Sequence, residues 1–207
     1  MKVVSAIGVV QKFQASRISE NFQPSTFNFH PSWRTSCCKR LRFLNRDPCM
    51  PTIHLTTFIA APIERVFDLS RSIDLHKKSM SDYREEAVAG TVMGLINLNE
   101  SVTWKAKHLM KNRVLQVQIT AMERPFFFTD EMKKGDFKSM KHEHHFKAIE
   151  NGTLMIDVFK YEAPYGGLGR FFSSVYLSGY LEKLLEHRNM LIKEYAESNK
   201  WNHVLEK

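Results

Sequence analysis

Sustained alternation of apolar and polar side chains begins abruptly after Met50. "IHLTTFI" (Ile53–Ile59) is rich in β-branched residues and has a period of two, which predicts a strand. Ala60-Ala61-Pro62 then turns the chain into "PIERVFDLS". There Ile63, Val66 and Phe67 follow helical spacing, and Pro62 suits a first helical position. "SIDLHKKSM" predicts a second short helix. Extended segments separated by turn signals follow at about 82–89, 99–109, 112–123, 126–133, 138–150 and 153–162. A loop is expected at Pro164-Tyr165-Gly166-Gly167-Leu168-Gly169, giving backbone freedom and serving as a lid. The period then changes to 3–4, with Tyr176/Leu177, Leu181, Leu184/Leu185, Arg188, Leu191/Ile192 and Tyr195 on one stripe. This predicts a helix from about 170 to 198. Gly179 interrupts it at a cost near 1 kcal/mol relative to Ala, and marks a place for a bend.

One strand, two short helices, a run of antiparallel strands and a long C-terminal helix make an α+β domain. The expected architecture is a curved antiparallel sheet wrapped around the long helix, with a hydrophobic cavity enclosed between them. Its expected extent is 51–198, with 199–207 as a tail. Residues 1–50 have no sustained period and few acids, and "QPSTFNFHPSWRTSCCKRLRFLNRDPCM" carries three prolines. They are expected outside the fold, as a disordered or non-native extension. Either Met50 is the working start or the segment is an organelle transit peptide; a secretory signal fits poorly.

Charge sharpens this division. The chain is formally +8, but residues 1–52 hold eight Lys/Arg against two Asp/Glu, and the remaining 155 hold 22 against 20. The body is nearly balanced, so a nucleic-acid role loses its main support. Cys37, Cys38 and Cys49 also lie in the first segment, and the body suits a reducing compartment. No apolar run approaches the roughly 18–20 residues that span a bilayer. A soluble, cytoplasmic protein is expected, or an organellar one if residues 1–49 are a transit peptide.

"FIAAPIERVFDL", "NESVTWKAKHL", "FTDEMKKGDFKSMKHEHHFKAIENGTLMIDVFKYEAPYGGLG" and "YLEKLLEHRNMLIKEYAE" together resemble the START-like ligand-binding superfamily (the SRPBCC or helix-grip group). That group includes birch-pollen-allergen-like proteins, lipid-transfer domains and polyketide cyclases, and the resemblance is closest to its small stand-alone bacterial members. It covers about residues 52–197. It implies a sheet gripping the C-terminal helix around a hydrophobic pocket, and leaves open whether the chain is a carrier, a sensor or an enzyme.

The densest chemistry is "KHEHHF" (141–146). Asn151-Gly152, between two alternating runs, is a hairpin signal. With those two as the loop, Ala148 faces Met155, Phe146 faces Asp157, His144 faces Phe159 and His142 faces Tyr161, all on one side of the sheet. The other side carries Glu143 opposite Lys160, and His145. Phe146, Met155, Phe159 and Tyr161 mark the first side as inward, so His142 and His144 point into the pocket with Asp157. Strand parity adds His108 and Trp104, and Asp130 is in phase with Phe128.

A zinc or iron site from His142, His144, His108 and Asp157, with Asp130 as a weaker addition, is the sharp reading. The preferred reading is that these are hydrogen-bonded polar groups in a mostly apolar pocket, with no metal and no cofactor. Trp104, Phe128, Phe146 and Phe159 either stack on a ligand or pack the core, and Met155 suits an adaptable lining. Arg188 neutralises an acidic ligand or pairs with Asp157 or Glu100. The expected ligand-binding set is therefore His108, Trp104, Phe128, His142, His144, Phe146, Met155, Asp157, Phe159, Tyr161 and Arg188. The expected function is binding or carrying a small hydrophobic molecule such as a lipid, isoprenoid or polyketide. A cyclase or dehydratase using His142, His144 and Asp157 as general acid and base is the alternative.

Overall fold

The computed structural model describes residues 50–108, 111–163 and 167–206, the last stretch by backbone alone up to residue 175. The expected N-terminal extension up to residue 49 lies outside the described residues, as do loop residues 164–166. Among the described residues seven strands form one antiparallel sheet: β1 (Thr52–Ile59), β2 (Glu86–Gly90), β3 (Ser101–His108), β4 (Lys111–Glu123), β5 (Phe127–Lys134), β6 (Ser139–Ile149) and β7 (Gly152–Glu162). Their order is β1-β7-β6-β5-β4-β3-β2. β2 to β7 run as a meander, and β1 lies beside β7 with Thr52 opposite Lys160. Helices α1 (Ile63–Ser70) and α2 (Ile73–Ser79) fill the connection from β1 to β2, and α3 (Gly167–Glu197) follows β7. The fold is α+β, with a long C-terminal helix held against an antiparallel sheet. Register shifts between Ala87 and Ala89 and along β4 mark bulges, which bend the strands that carry them.

Local sequence explains each part. β6 and β7 bury every second residue through most of their length, so one face of each is built for the interior. In α1, Ile63, Val66, Phe67, Leu69 and Ser70 are the buried positions. Phe67 packs edge-on against Phe128 at 5.6 Å and Phe146 at 5.3 Å, fastening the helix to the sheet. Pro62 stands at the N-cap of α1, one position before the expected one. Ser72 caps α2 by accepting a hydrogen bond from the Leu75 amide at 3.2 Å. Residues 82–85, expected as strand, belong instead to a 3₁₀ turn (Ser81–Tyr83) and an irregular link. Residues 199–206 return as a 3₁₀ turn (Asn199–Trp201) and a short α4 (Asn202–Leu205), with Val204 buried.

Helix α3 starts at Gly167, so residues 167–169 of the expected loop are its first turn. Leu184, Leu185, Arg188 and Ile192 are buried as the stripe requires, while Tyr176 is exposed. The β6–β7 hairpin corrects the expected register. Glu150-Asn151 form the loop, and each β6 residue meets a β7 residue two positions earlier: His144 faces Asp157, His142 faces Phe159, Met140 faces Tyr161. Gly152 is not a loop residue but the first of β7, with φ of 153°; a Cβ there would lie 2.2 Å from the Ile59 carbonyl oxygen. The glycine is needed for the close approach of β1, and this outweighs the Asn-Gly loop signal.

Candidate functional site

Between the sheet and α3 lies a cavity of about 380 Å³. Ile96, Val102, Val117, Ile119, Phe159 and Leu184 are among its apolar walls. Among its polar groups are two histidine–carboxylate clusters, beside Arg71 and the Arg113–Asp136 ion pair.

The first cluster joins β5, β6, β7 and α3. His142 Nε2 donates to Asp157 Oδ1 at 3.0 Å, and His144 Nδ1 lies 2.7 Å from the same oxygen. That second contact is an ion-pair distance without hydrogen-bond alignment, leaving Nδ1 buried and unsatisfied. His144 Nε2 sits 3.0 Å from Asp130 Oδ2. Asp157 Oδ2 accepts from Asn189 Nδ2 at 2.7 Å. Arg188 donates from Nη2 to the Ser70 carbonyl at 2.7 Å, while its Nη1 stands 3.8 Å from Asp157 Oδ1. Phe128 stacks on His144 at 4.2 Å, and the His142 ring lies tilted against His144 at 3.8 Å.

Electrostatics follow from this crowding. Burial pushes the Asp157 carboxyl up, but the hydrogen bonds and charges of His142 and His144 outweigh it and hold the group well below the usual range. Asp130 is lowered by the same balance, with Arg188 contributing. His142 is pushed down by burial and by the like charge of His144, against the pull of Asp157 and Asp130. Asp157 is fully enclosed, whereas the Asp130 side chain keeps 17% exposure on the cavity side.

The second cluster joins α2, β3 and α3 around Glu85. Its carboxylate accepts from His76 Nε2 at 3.1 Å and lies 3.7 Å from His108 Nε2. His108 Nδ1 meets the Tyr180 hydroxyl at 2.8 Å. His76 stacks on Trp104 and Tyr83 on His108. Burial raises Glu85, yet the hydrogen bonds and charges of His108 and His76 bring it down to about 2. Tyr180 is pushed up to about 12, first by burial and then by its tyrosine and carboxylate neighbours.

Of the expected binding residues, Trp104, His108, Phe128, His142, His144, Phe159 and Arg188 line the cavity. Phe146, Met155, Asp157 and Tyr161 face the same side of the sheet but lie behind that lining. Phe146 packs on Phe67, Met155 Sδ receives the Ser70 hydroxyl at 3.4 Å, and the Tyr161 hydroxyl meets Ser178 Oγ at 2.7 Å. His108 is not with the other two histidines but in the Glu85 cluster. Glu100 bonds Thr91 and Asn97 rather than Arg188. Asn189, Glu85, His76 and Tyr180 were not anticipated. Asn189 had a signal, being in phase with Leu185 and Ile192; Glu85 sits in an aperiodic stretch and had none.

No protein-family model and no curated protein matches this sequence. Solved structures do match in fold. TTHA0849 from Thermus thermophilus superposes with a TM-score of 0.57 at 17% identity, covering 70% of this chain and 97% of that one. The ZhuI aromatase/cyclase from Streptomyces sp. R1128 gives 0.57 at 10% identity, over 72% and 94%. A START superfamily protein from Mycobacterium smegmatis gives 0.51 at 14%, over 70% and 97%. The chain has the START-like, helix-grip fold. Among the described residues no helix is long and apolar enough to cross a membrane.

Proposed function

We propose that the chain binds or carries a small, mainly apolar molecule in the cavity, seating its polar end against His142, His144 and Arg188. The observation that carries this reading is a cavity of about 380 Å³ with mostly apolar walls and two histidine–carboxylate clusters among its polar groups. That size and lining suit one small ligand with few orienting hydrogen bonds. The test is to purify the full chain under native conditions and identify co-purifying small molecules by mass spectrometry. A stoichiometric lipid, isoprenoid or polyketide-like compound is expected. Ala106→Trp, which fills the cavity from β3, is expected to lower its occupancy at least about tenfold, the effect of roughly 1.4 kcal/mol. Equal occupancy in that variant, with its fold intact by circular dichroism, would overturn the proposal.

The His142–Asp157 hydrogen bond supports a second reading, in which His142 moves protons on a carbonyl substrate as general base. Recovery of the co-purified molecule unchanged after prolonged incubation with the chain would count against catalysis.

A further inference from the structure

We propose that Asp130, His142 and His144 form a three-ligand site for a first-row divalent transition-metal ion such as Fe(II) or Zn(II), open to the cavity. The strands place the three residues together. His142 and His144 are two apart on β6 and share its inner face, and Asp130 is the direct partner of His142 on β5. One ligand atom from each lies within 4.8 Å of the others. Asp130 Oδ2 is 3.0 Å from His144 Nε2 and 3.9 Å from His142 Nδ1. Metal bonds of roughly 2.1 Å set neighbouring ligand atoms about 3.0–3.5 Å apart, so only a small closure is required.

The far side of each imidazole carries the stronger argument. His142 Nε2 and His144 Nδ1 both meet Asp157 Oδ1, at 3.0 and 2.7 Å. A carboxylate on the remote nitrogen fixes the tautomer, turns the other lone pair toward the ion and raises its basicity. Here one buried carboxylate does so for His142, the same oxygen lies 2.7 Å from His144 Nδ1, and Asn189 anchors its second oxygen. His144 Nδ1 is buried without an aligned hydrogen bond. A ring drawn onto a metal through Nε2 would give that nitrogen its partner in Asp157.

Charge and donor type agree. Two carboxylates against Arg188 leave one negative charge beside two imidazoles, which a dication offsets. Two nitrogens and one oxygen suit Zn(II) or Fe(II) better than Mg(II) or Ca(II). All three residues line the cavity, so water or a donor atom of a bound molecule there would complete the shell. The ligand set differs from the one the sequence suggested. His108 belongs to the Glu85 cluster, and Asp157 supports the ligands from behind. The site does not depend on the apolar-ligand reading.

The test uses the untagged full chain carrying Cys37→Ser, Cys38→Ser and Cys49→Ser, because thiolates compete for the same ions. Co(II) is titrated by equilibrium dialysis and visible absorption, with Zn(II) as competitor. One equivalent is expected, displaced by Zn(II), with a spectrum lacking thiolate charge transfer. His142→Ala, His144→Ala and Asp130→Asn are each expected to weaken binding at least about 100-fold, and Asp157→Asn about 10–100-fold. His145→Ala, one position away but facing outward, is expected to change nothing. Near-ultraviolet circular dichroism identifies any variant that fails to fold, and Asp130→Asn, nearly isosteric and on the cavity wall, keeps the test decisive. No saturable binding, or binding unmoved by all three ligand substitutions, would refute the site.

Discussion

Asp157 shows how much one side chain organises here. Its carboxylate receives groups from β6 and from α3, so three elements share a single buried charge. The direction of the histidines was legible in the sequence because strand parity survives a slip of two residues. Their partner was not, since the same slip exchanged Phe159 for Asp157 opposite His144. Glu85 shows the other limit: no period marks it, and its partners, His76 on α2 and His108 on β3, come from two different elements. Its pKa of about 2 against an ordinary 4.5 means that folding favours the ionised form. That contribution is full above pH 4.5 and is lost as pH falls toward 2, an effect on the order of 3 kcal/mol. Urea midpoints of wild type and Glu85→Gln are therefore expected to differ most above about pH 5 and to converge near pH 2. A gap that stays constant across this range would contradict the assignment.

At the scale of the element, α3 carries its apolar stripe in sequence, and with it Arg188. The stripe hid Asn189, whose amide serves Asp157 and Thr57 from a position phased with leucine and isoleucine. Gly179 tells a simpler story. A Cβ built there meets nothing within 4 Å, and its φ is not in the left-handed region, so neither crowding nor backbone calls for glycine. Gly179→Ala is expected to stabilise the fold by about 0.5–1 kcal/mol, by limiting the unfolded chain and improving helix propensity. Thermal or urea unfolding measures it. A destabilised variant would mean that the glycine serves a purpose other than packing.

For the whole molecule, the order of elements was legible because each strand carries its own alternation and each turn its own residues. The cavity's extent was not, since it depends on the side chains that several strands and α3 present to one another. Its occupancy has a global readout. A ligand held by the folded form alone, at about 100 times its Kd, adds roughly 2.7 kcal/mol of stability. Adding back the co-purified molecule is expected to raise the melting midpoint of wild type and to leave that of Ala106→Trp nearly unmoved.

The place of β1 has a consequence of another kind. It is the first strand of the sheet to be made, yet it pairs with β7, the last. During synthesis it must wait with both edges open until nearly all the sheet has left the ribosome. Pairing across so long a stretch of chain raises the contact order and slows folding. Three of the four outward positions of β1 are polar, Thr52, His54 and Thr56, and the fourth is Phe58. That composition suits a strand whose partner arrives late, because it offers a waiting edge less to aggregate with.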